Sequence, residues 1–463
     1  MPEAIHWQIN QVDHKEERDI VIGFDFGTSC SKIIIQDKQV KRAFAVPFDR
    51  ISSKYNRYLL ATKLYVNSDG SMHLDKGEHE VSNLKTDFIS NPDQILFKSQ
   101  KGESATSDKI AAAYIGLVLI EVRNWFFREN YRDYKHIKIN WELNIGLSSR
   151  SYDDRELYKS MKLVALTGWN LSLCIQKTAT LVDLQKAFQT AQRQIQSNLI
   201  DESKGELHPE NVNPIPEIIA EVIGYAKSQM RHDGMYLLVD IGASTLDVSM
   251  FTLHQHDYED NYTILYAEVR QMGAYKLHQH RVNESKSIIE KRLGDLICAC
   301  DGISPIPKAA KYLSPSEEEY KKFKEVDGNF SYNCSILIRK VIIETKKHKN
   351  PFGDEWAGGL PVFICGGGSK MDFYKKTVSY AEEGLKNSIY RIDLEEKKLP
   401  KPDNLETIDI LSHDYHRFAV SYGLSFSEVD IGRIVPQRKV TDIMLPEPVE
   451  KDIDKWFVDK DMV

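Results

Sequence analysis

One pattern occurs twice in this chain, and it limits the fold more than any other feature. Residues 20–37, IVIGFDFGTSCSKIIIQD, read as strand, turn and strand, and so do residues 235–253, MYLLVDIGASTLDVSMFTL. In each, an apolar strand ends on an aspartate, a glycine follows two residues on, and small hydroxylic residues make the turn. The first copy is Gly23-Phe24-Asp25-Phe26-Gly27-Thr28-Ser29-Cys30-Ser31-Lys32. The second is Leu238-Val239-Asp240-Ile241-Gly242-Ala243-Ser244-Thr245-Leu246-Asp247. They differ in the charged residue seven past the aspartate, Lys32 in one and Asp247 in the other. An internal repeat governs the fold assignment, and a chain of 463 residues calls for two or more domains.

The turns have a chemical logic. Gly27 and Gly242 let the backbone approach a ligand and reach conformations closed to other residues. Successive N–H groups in such a turn make an anion-binding nest. Thr28, Ser29, Ser244 and Thr245 add hydroxyl donors, and Lys32 brings positive charge to phosphate oxygens. Asp25, Asp240 and Asp247 repel phosphate but suit Mg²⁺, which keeps several waters and takes few carboxylates. Two such hairpins, if they face each other, would make a clamp for a magnesium–nucleotide complex. A single D-x-G is weak, since an ordinary hairpin with a polar turn has one too. Two copies in order, with a third glycine-rich element downstream, are far more specific.

Composition narrows the class. Hydrophobic residues make up 41% and charged residues 28%, as in soluble globular proteins, and a net charge of −7 gives no pull toward nucleic acid or anionic membrane. Six cysteines lie scattered without a CxxC pair, which fits reduced thiols in a cytoplasm. The first residues lack the apolar core of a signal peptide. The longest mainly apolar stretch, 111–120, is half a membrane span and reads as a buried helix.

Along the chain, 1–18 read as a polar arm, 58–80 as short strands, 105–130 as a helix, and 137–147 as an alternating strand. A polar helix covers about Tyr152 to Leu166, and another covers 181–199. Residues 201–216, rich in Pro and Asn, mark a connection, and a helix runs from Glu217 to about Gln229. A strand at 262–270 and helices at 275–299 and 333–348 follow. The strand LPVFIC leads into Gly366-Gly367-Gly368 and another helix, and 415–426 is the last helical segment.

These residues resemble the superfamily of actin, DnaK-type heat-shock chaperones and sugar kinases. GFDFGTSCSK is similar to its first phosphate motif, LVDIGASTLDVS to its second, and VFICGGGSKMDF to its adenosine motif. PEIIAEVIGYA, with Glu217, Ala220 and Tyr225, resembles the first connecting helix, and RFAVSYGLS, with Ala419 and Gly423, the second. All five stand in the family order over roughly residues 19–426, and between them the chain is nearest the DnaK-type nucleotide-binding domain. The resemblance implies an α/β, two-lobed actin-like ATPase fold, each lobe a ribonuclease-H-like mixed sheet with helices. Lobe I would span 19–224 and lobe II 225–418, with 419–435 returning to lobe I and 436–463 a charged tail.

It also implies roles. Asp25 and Asp240 would hold Mg²⁺ through water, Thr28, Ser29 and Lys32 the β- and γ-phosphates of ATP or ADP, and Gly367, Gly368 and Ser369 the adenosine. Gly242, Ala243, Ser244 and Thr245 would form the second phosphate turn beside Asp247, and Gly273 fits the glycine that follows it. Glu217 would position the attacking water. Lys63 and Lys85 are the candidates for the chaperone's separate catalytic lysine. Ala243 and Ser244 replace usual glycines, Lys32 follows the actin and plasmid-segregation pattern, and 172–214 looks inserted.

Other signals are weaker. CGGGSK lacks the Gly-Lys-Ser/Thr of a P-loop. His254/His256, His278/His280 and His413/His416 lack a matching ligand frame and read as surface histidines. Trp125, Phe126 and Phe127 read as core. The expected protein is a slow ATP hydrolase switching a partner protein through its tail or a lobe face. The alternatives are a self-assembling filament of the plasmid-segregation type and a small-molecule kinase. Too little chain follows the second connecting helix for a peptide-binding domain, although Asp442-Ile443-Met444-Leu445 is similar to the chaperone's apolar linker.

Overall fold

The computed structural model describes residues 16–51, 56–100, 102–284, 303–309, 312, 317–407 and 409–443. They form a mixed α/β protein with several mixed sheets. In the first large sheet, β1 (Glu16–Phe26), β2 (Cys30–Asp37) and β3 (Arg42–Ala45) make an antiparallel meander. On the other side of β1, β4 (Ile137–Leu147) and β5 (Val212–Pro216) add in parallel, giving the order β5-β4-β1-β2-β3.

The second large sheet repeats this plan. β6 (Gly234–Ile241), β7 (Leu246–His256) and β8 (Glu259–Arg270) are again an antiparallel meander. β9 (Leu360–Cys365) and β10 (Leu394–Lys397) again add in parallel from the first strand, and β11 (Arg433–Val435) lies beside β8. Strand order and direction in the five shared strands are therefore the same in both sheets. Even the register agrees: Asp25 faces Lys32 across its hairpin, as Asp240 faces Asp247 across the other. Ile20 to Phe26 are all buried, as expected of a central strand beside a parallel neighbour.

The helices that bear on the site are α1 (Leu84–Ser90), α2 (Ser107–Tyr134), α3 (Arg155–Cys174), α4 (Glu217–Ala226), α5 (Ala274–Glu284), α6 (Glu317–Glu344), α7 (Asp372–Lys386) and α8 (Ala419–Leu424). Among the described residues α2 is the one helix long and apolar enough to cross a membrane, and 78% of its apolar window is buried inside the protein. Trp125, Phe126 and Phe127 pack in that core, as their sequence context suggested.

Two helices change partners. α4 follows the last strand of the first sheet, yet Ile219 and Ile223 pack with Tyr236, Leu238 and Phe363 of the second. α8 follows the second sheet but lies on the first, where a Cβ on Gly23 would stand 2.3 Å from the Ser421 carbonyl oxygen. α4 and α8 also meet each other: a Cβ on Gly423 would stand 1.7 Å from the Ala220 carbonyl oxygen, so only glycine fits. Just before α8 the chain forms a strap along the free edge of β3. Ala43 donates to Asn404 O at 2.9 Å, Glu406 donates back to Ala43 O at 2.9 Å, and Arg42 grips the Glu406 carboxylate at 2.6 and 2.7 Å.

Several local expectations need correction. The connection at 201–216 ends in a strand, β5, despite Pro214 and Pro216. It pairs only with β4, and a sheet edge tolerates a residue without an N–H. The helix expected to stop near Leu166 is preceded by a short turn, Ser149–Asp153, and runs on to Cys174, with Asp154 capping it through the N–H groups of Glu156 and Leu157. The helix expected at 333–348 begins at Glu317; charged residues dominate its first turns, EEEYKKFKE, and hide the short apolar face of Phe323 and Val326. Residues 16–18 belong to β1 and not to an arm, with Arg18 on Asp37 at 3.0 Å. Beyond Glu284 the helix expected at 275–299 lies outside the described residues, as do Met444 and Leu445 of the linker-like motif. The start of the tail packs on the protein: Gln437 accepts from the Ala267 N–H at 3.0 Å, and Arg438 reaches Asp153.

Candidate functional site

Both hairpin turns open on one cavity of about 1670 Å³. The first brings Asp25, Gly27, Thr28, Ser29 and Lys32 to its wall, and the second Asp240, Gly242, Ala243, Ser244, Thr245 and Asp247. The turn after β9 adds Gly367 and Gly368, and the first residue of α4 adds Glu217. Residues from separate sheets, distant in sequence, thus converge because each sheet carries its hairpin at the same position.

Two expected residues stand behind the wall. Gly273 donates its N–H to Ser244 O at 3.0 Å, and a Cβ there would lie 2.6 Å from the Gly242 and Ala243 oxygens. Ser369 donates its hydroxyl to Gly366 O at 2.8 Å. Each braces a turn from the rear and does not line the ligand space. The reason for the hairpin glycines also needs correction, because neither Gly27 nor Gly242 has a left-handed backbone. Gly27 is needed for room, its Cβ falling 2.3 Å from Cys30 O, whereas at Gly242 the nearest atom is 3.4 Å away. The strained glycine is Gly366: its φ is +78°, and a Cβ would collide with Asp240 Oδ1 at 2.1 Å.

The wall is strongly charged. Lys32 pairs with Asp25, and Lys85, on α1, pairs with Glu217. Of the two lysine candidates, Lys85 is thus the one in the cavity; Lys63 pairs with Glu80 at 2.8 Å and is absent from the wall. Glu221, one turn beyond Glu217 on α4, is buried and its Oε1 has no hydrogen-bond partner; the same holds for Asp247 Oδ1. Burial raises the pKa of Asp240 to about 7, helped by the charges of Glu217 and Asp25 and opposed by Lys32 and Lys85. Burial, then Asp240, pushes Asp247 and Glu221 well above the carboxylate range. Burial draws Lys32 down, but the Asp25 charge beside it leaves the ammonium raised.

Among the described residues no three acidic, histidine or cysteine side chains converge closely enough to hold a metal directly. The buried, unpartnered oxygen of Asp247 beside raised Asp240 still fits a hydrated cation bound from outside its water shell. His278 and His416 are not surface residues: His278 is buried on the Tyr312 hydroxyl at 2.5 Å, and His416 lines the cavity. Burial, Lys370 and Arg417 lower the His416 pKa to about 4.

The sequence reading gave no site role to Glu221, Lys370 or Arg417 and set His416 aside as a surface histidine, yet all four are on the cavity wall. For Glu221 a signal existed, since an acid four residues after Glu217 shares its helix face. The others come from turns whose placement only the tertiary fold decides. Compared with known proteins, the chain matches no family model, and no curated protein matches it.

Proposed function

We propose that this chain is an actin-like, DnaK-type ATPase that binds Mg-ATP between two ribonuclease-H-like lobes, hydrolyses it slowly, and switches a partner protein. The observation that carries this reading is the convergence of two like hairpin turns, from two sheets of the same strand order, on one charged cavity. In this reading the N–H and hydroxyl groups of Thr28, Ser29, Ser244 and Thr245 bind the phosphates, and Lys32 neutralises them. Mg²⁺, when bound, supplies charge neutralisation at the phosphoryl oxygens. Asp25, Asp240 and Asp247 would hold it through water.

Glu217 orients the attacking water, and Lys85 fixes the Glu217 carboxylate. Phosphoryl transfer to water asks a protein for positioning and electrostatics more than covalent help. Gly367 and Gly368 take the adenosine, with Ser369 and Gly273 shaping the turns behind. Because α4 and α8 each pack on the sheet opposite their own, ligand contacts on both lobes favour closure to the extent that they bind the closed form better. The cytoplasmic setting and a partner held through the tail or a lobe face belong to the same proposal.

The Lys85–Glu217 pair supports this reading over a filament of the plasmid-segregation type, which Lys32 alone would suit. Asp247 on the cavity wall argues against a small-molecule kinase. The test is phosphate release from Mg-ATP by the purified protein with no acceptor added. Slow, stoichiometric release supports the reading. Release only with an added acceptor would make it a kinase, and ATP-dependent pelleting would make it a filament former.

A further inference from the structure

We propose that Arg417 is a phosphate-binding residue of this cavity, meeting the diphosphate of the nucleotide from the side of the Gly366–Gly368 turn; this rests on the nucleotide reading above. Arg417 ends the 3₁₀ turn Tyr415–Arg417 and lies two residues ahead of α8. Its guanidinium sits over Gly367, with Nε and Nη2 both 3.8 Å from where a Cβ would stand, so the missing side chain there leaves the fork open to the cavity.

The neighbouring cations each have a carboxylate partner. Lys32 is held by Asp25, Lys85 by Glu217, and Lys370 by Asp414 at 2.5 Å. Arg417 is half-buried, and among the described residues no carboxylate lies within ion-pair distance of it. Its charge also acts unfavourably on the Lys32 ammonium, so the two cations share one space. A partly desolvated guanidinium without an anion, near a second cation, is costly, and an anion between them relieves both. A fork of N–H donors suits phosphate geometry better than a point charge does. The family's phosphate motifs do not include this position; the signal is purely spatial.

The test is calorimetry of the full chain with Mg-ADP, adenosine and tripolyphosphate, comparing wild type, Arg417→Gln and Arg417→Lys. Arg417→Gln should weaken Mg-ADP by about tenfold to a hundredfold, the loss expected for a hydrogen bond between charged groups. Adenosine affinity should stay as in wild type, the melting temperature of the ligand-free protein should not fall, and Arg417→Lys should recover part of the Mg-ADP loss. Wild-type Mg-ADP affinity in Arg417→Gln, or an equal loss for adenosine and Mg-ADP, would overturn the assignment. If Arg417→Gln does not fold, Arg417→Lys decides, since an unchanged ratio of the two affinities is equally fatal. Arg417-dependent binding of tripolyphosphate without any nucleotide binding would keep the anion site and sink the nucleotide reading. Wild-type protein that binds none of the three ligands sinks both.

Discussion

In the proposed mechanism, Glu217 and Lys85 are the residues on which hydrolysis would turn. The nearly buried Lys85 ammonium holds one carboxyl oxygen of Glu217. Glu217→Gln keeps the hydrogen bond and removes the charge. It should lower single-turnover hydrolysis by on the order of 10²–10⁴ while Mg-ATP affinity changes little, because a water-positioning group acts in the transition state. Wild-type turnover would remove Glu217 from the mechanism. Asp240 makes a different demand. Its folded pKa of about 7 exceeds the ordinary 3.8, so the folded protein holds the extra proton throughout that window. The stability this contributes is full below 3.8 and is lost as pH rises through about 7. Asp240→Asn should therefore stabilise the ligand-free protein at pH 7.5 by roughly 1–3 kcal/mol, each pKa unit being worth about 1.4 kcal/mol. It should also shallow the decline of urea midpoint with pH, leaving the part due to Asp247 and Glu221. A variant less stable than wild type at pH 7.5 would contradict the burial argument. The hairpin aspartates and Lys32 were legible in sequence because local spacing announces them, whereas Glu217 was reached only through the resemblance of its helix to a known family's connecting helix. Lys85 could not be separated from Lys63 without the fold, and Arg417 gave no local signal at all.

At the scale of elements, fit between helices replaces spacing between residues. α8 passes so close to β1 and α4 that Gly23 and Gly423 have no room for a methyl group, and the obstructing atoms are backbone. Gly423→Ala should cost about 1–3 kcal/mol, as overpacking does, read as a lower urea midpoint. It should also raise hydrogen exchange in α4 and α8 relative to the two sheets. An unchanged midpoint would mean the helices part freely. Strands with strong alternation or buried apolar runs, such as β1, β4 and β6, were readable from pattern. β5 was hidden by its prolines, which an edge allows, and the start of α6 by a charged run in which Phe323 and Val326 are the buried apolar residues. Turn residues can be read for type, but not for which wall they will face.

Over the whole molecule, the shared strand order means that what the sequence displays as two short repeats is a duplication of entire sheets. Each sheet closes one core with its own helices, and the helix exchange ties the two sheets through their other cores. The strap on β3 adds a demand in time. Ile34, Ala43 and Ala45 of the first sheet finish their packing against Leu405, Tyr415 and Phe418, which come from the far end of the chain. During synthesis these strands must wait, edge uncovered, until residues 404–418 have left the ribosome. Contacts of such long sequence separation are slow to form, and an unpaired edge meanwhile invites other strands. A chain ending at residue 398 should therefore be recovered mainly as aggregate, and adding residues 399–426 back should restore soluble protein. If the shorter chain folds to a cooperative, monomeric unit, the strap is dispensable. Otherwise the growing polypeptide is an obligate client during its own birth, sheltered by whatever covers β3 until residues 404–407 arrive to take that place.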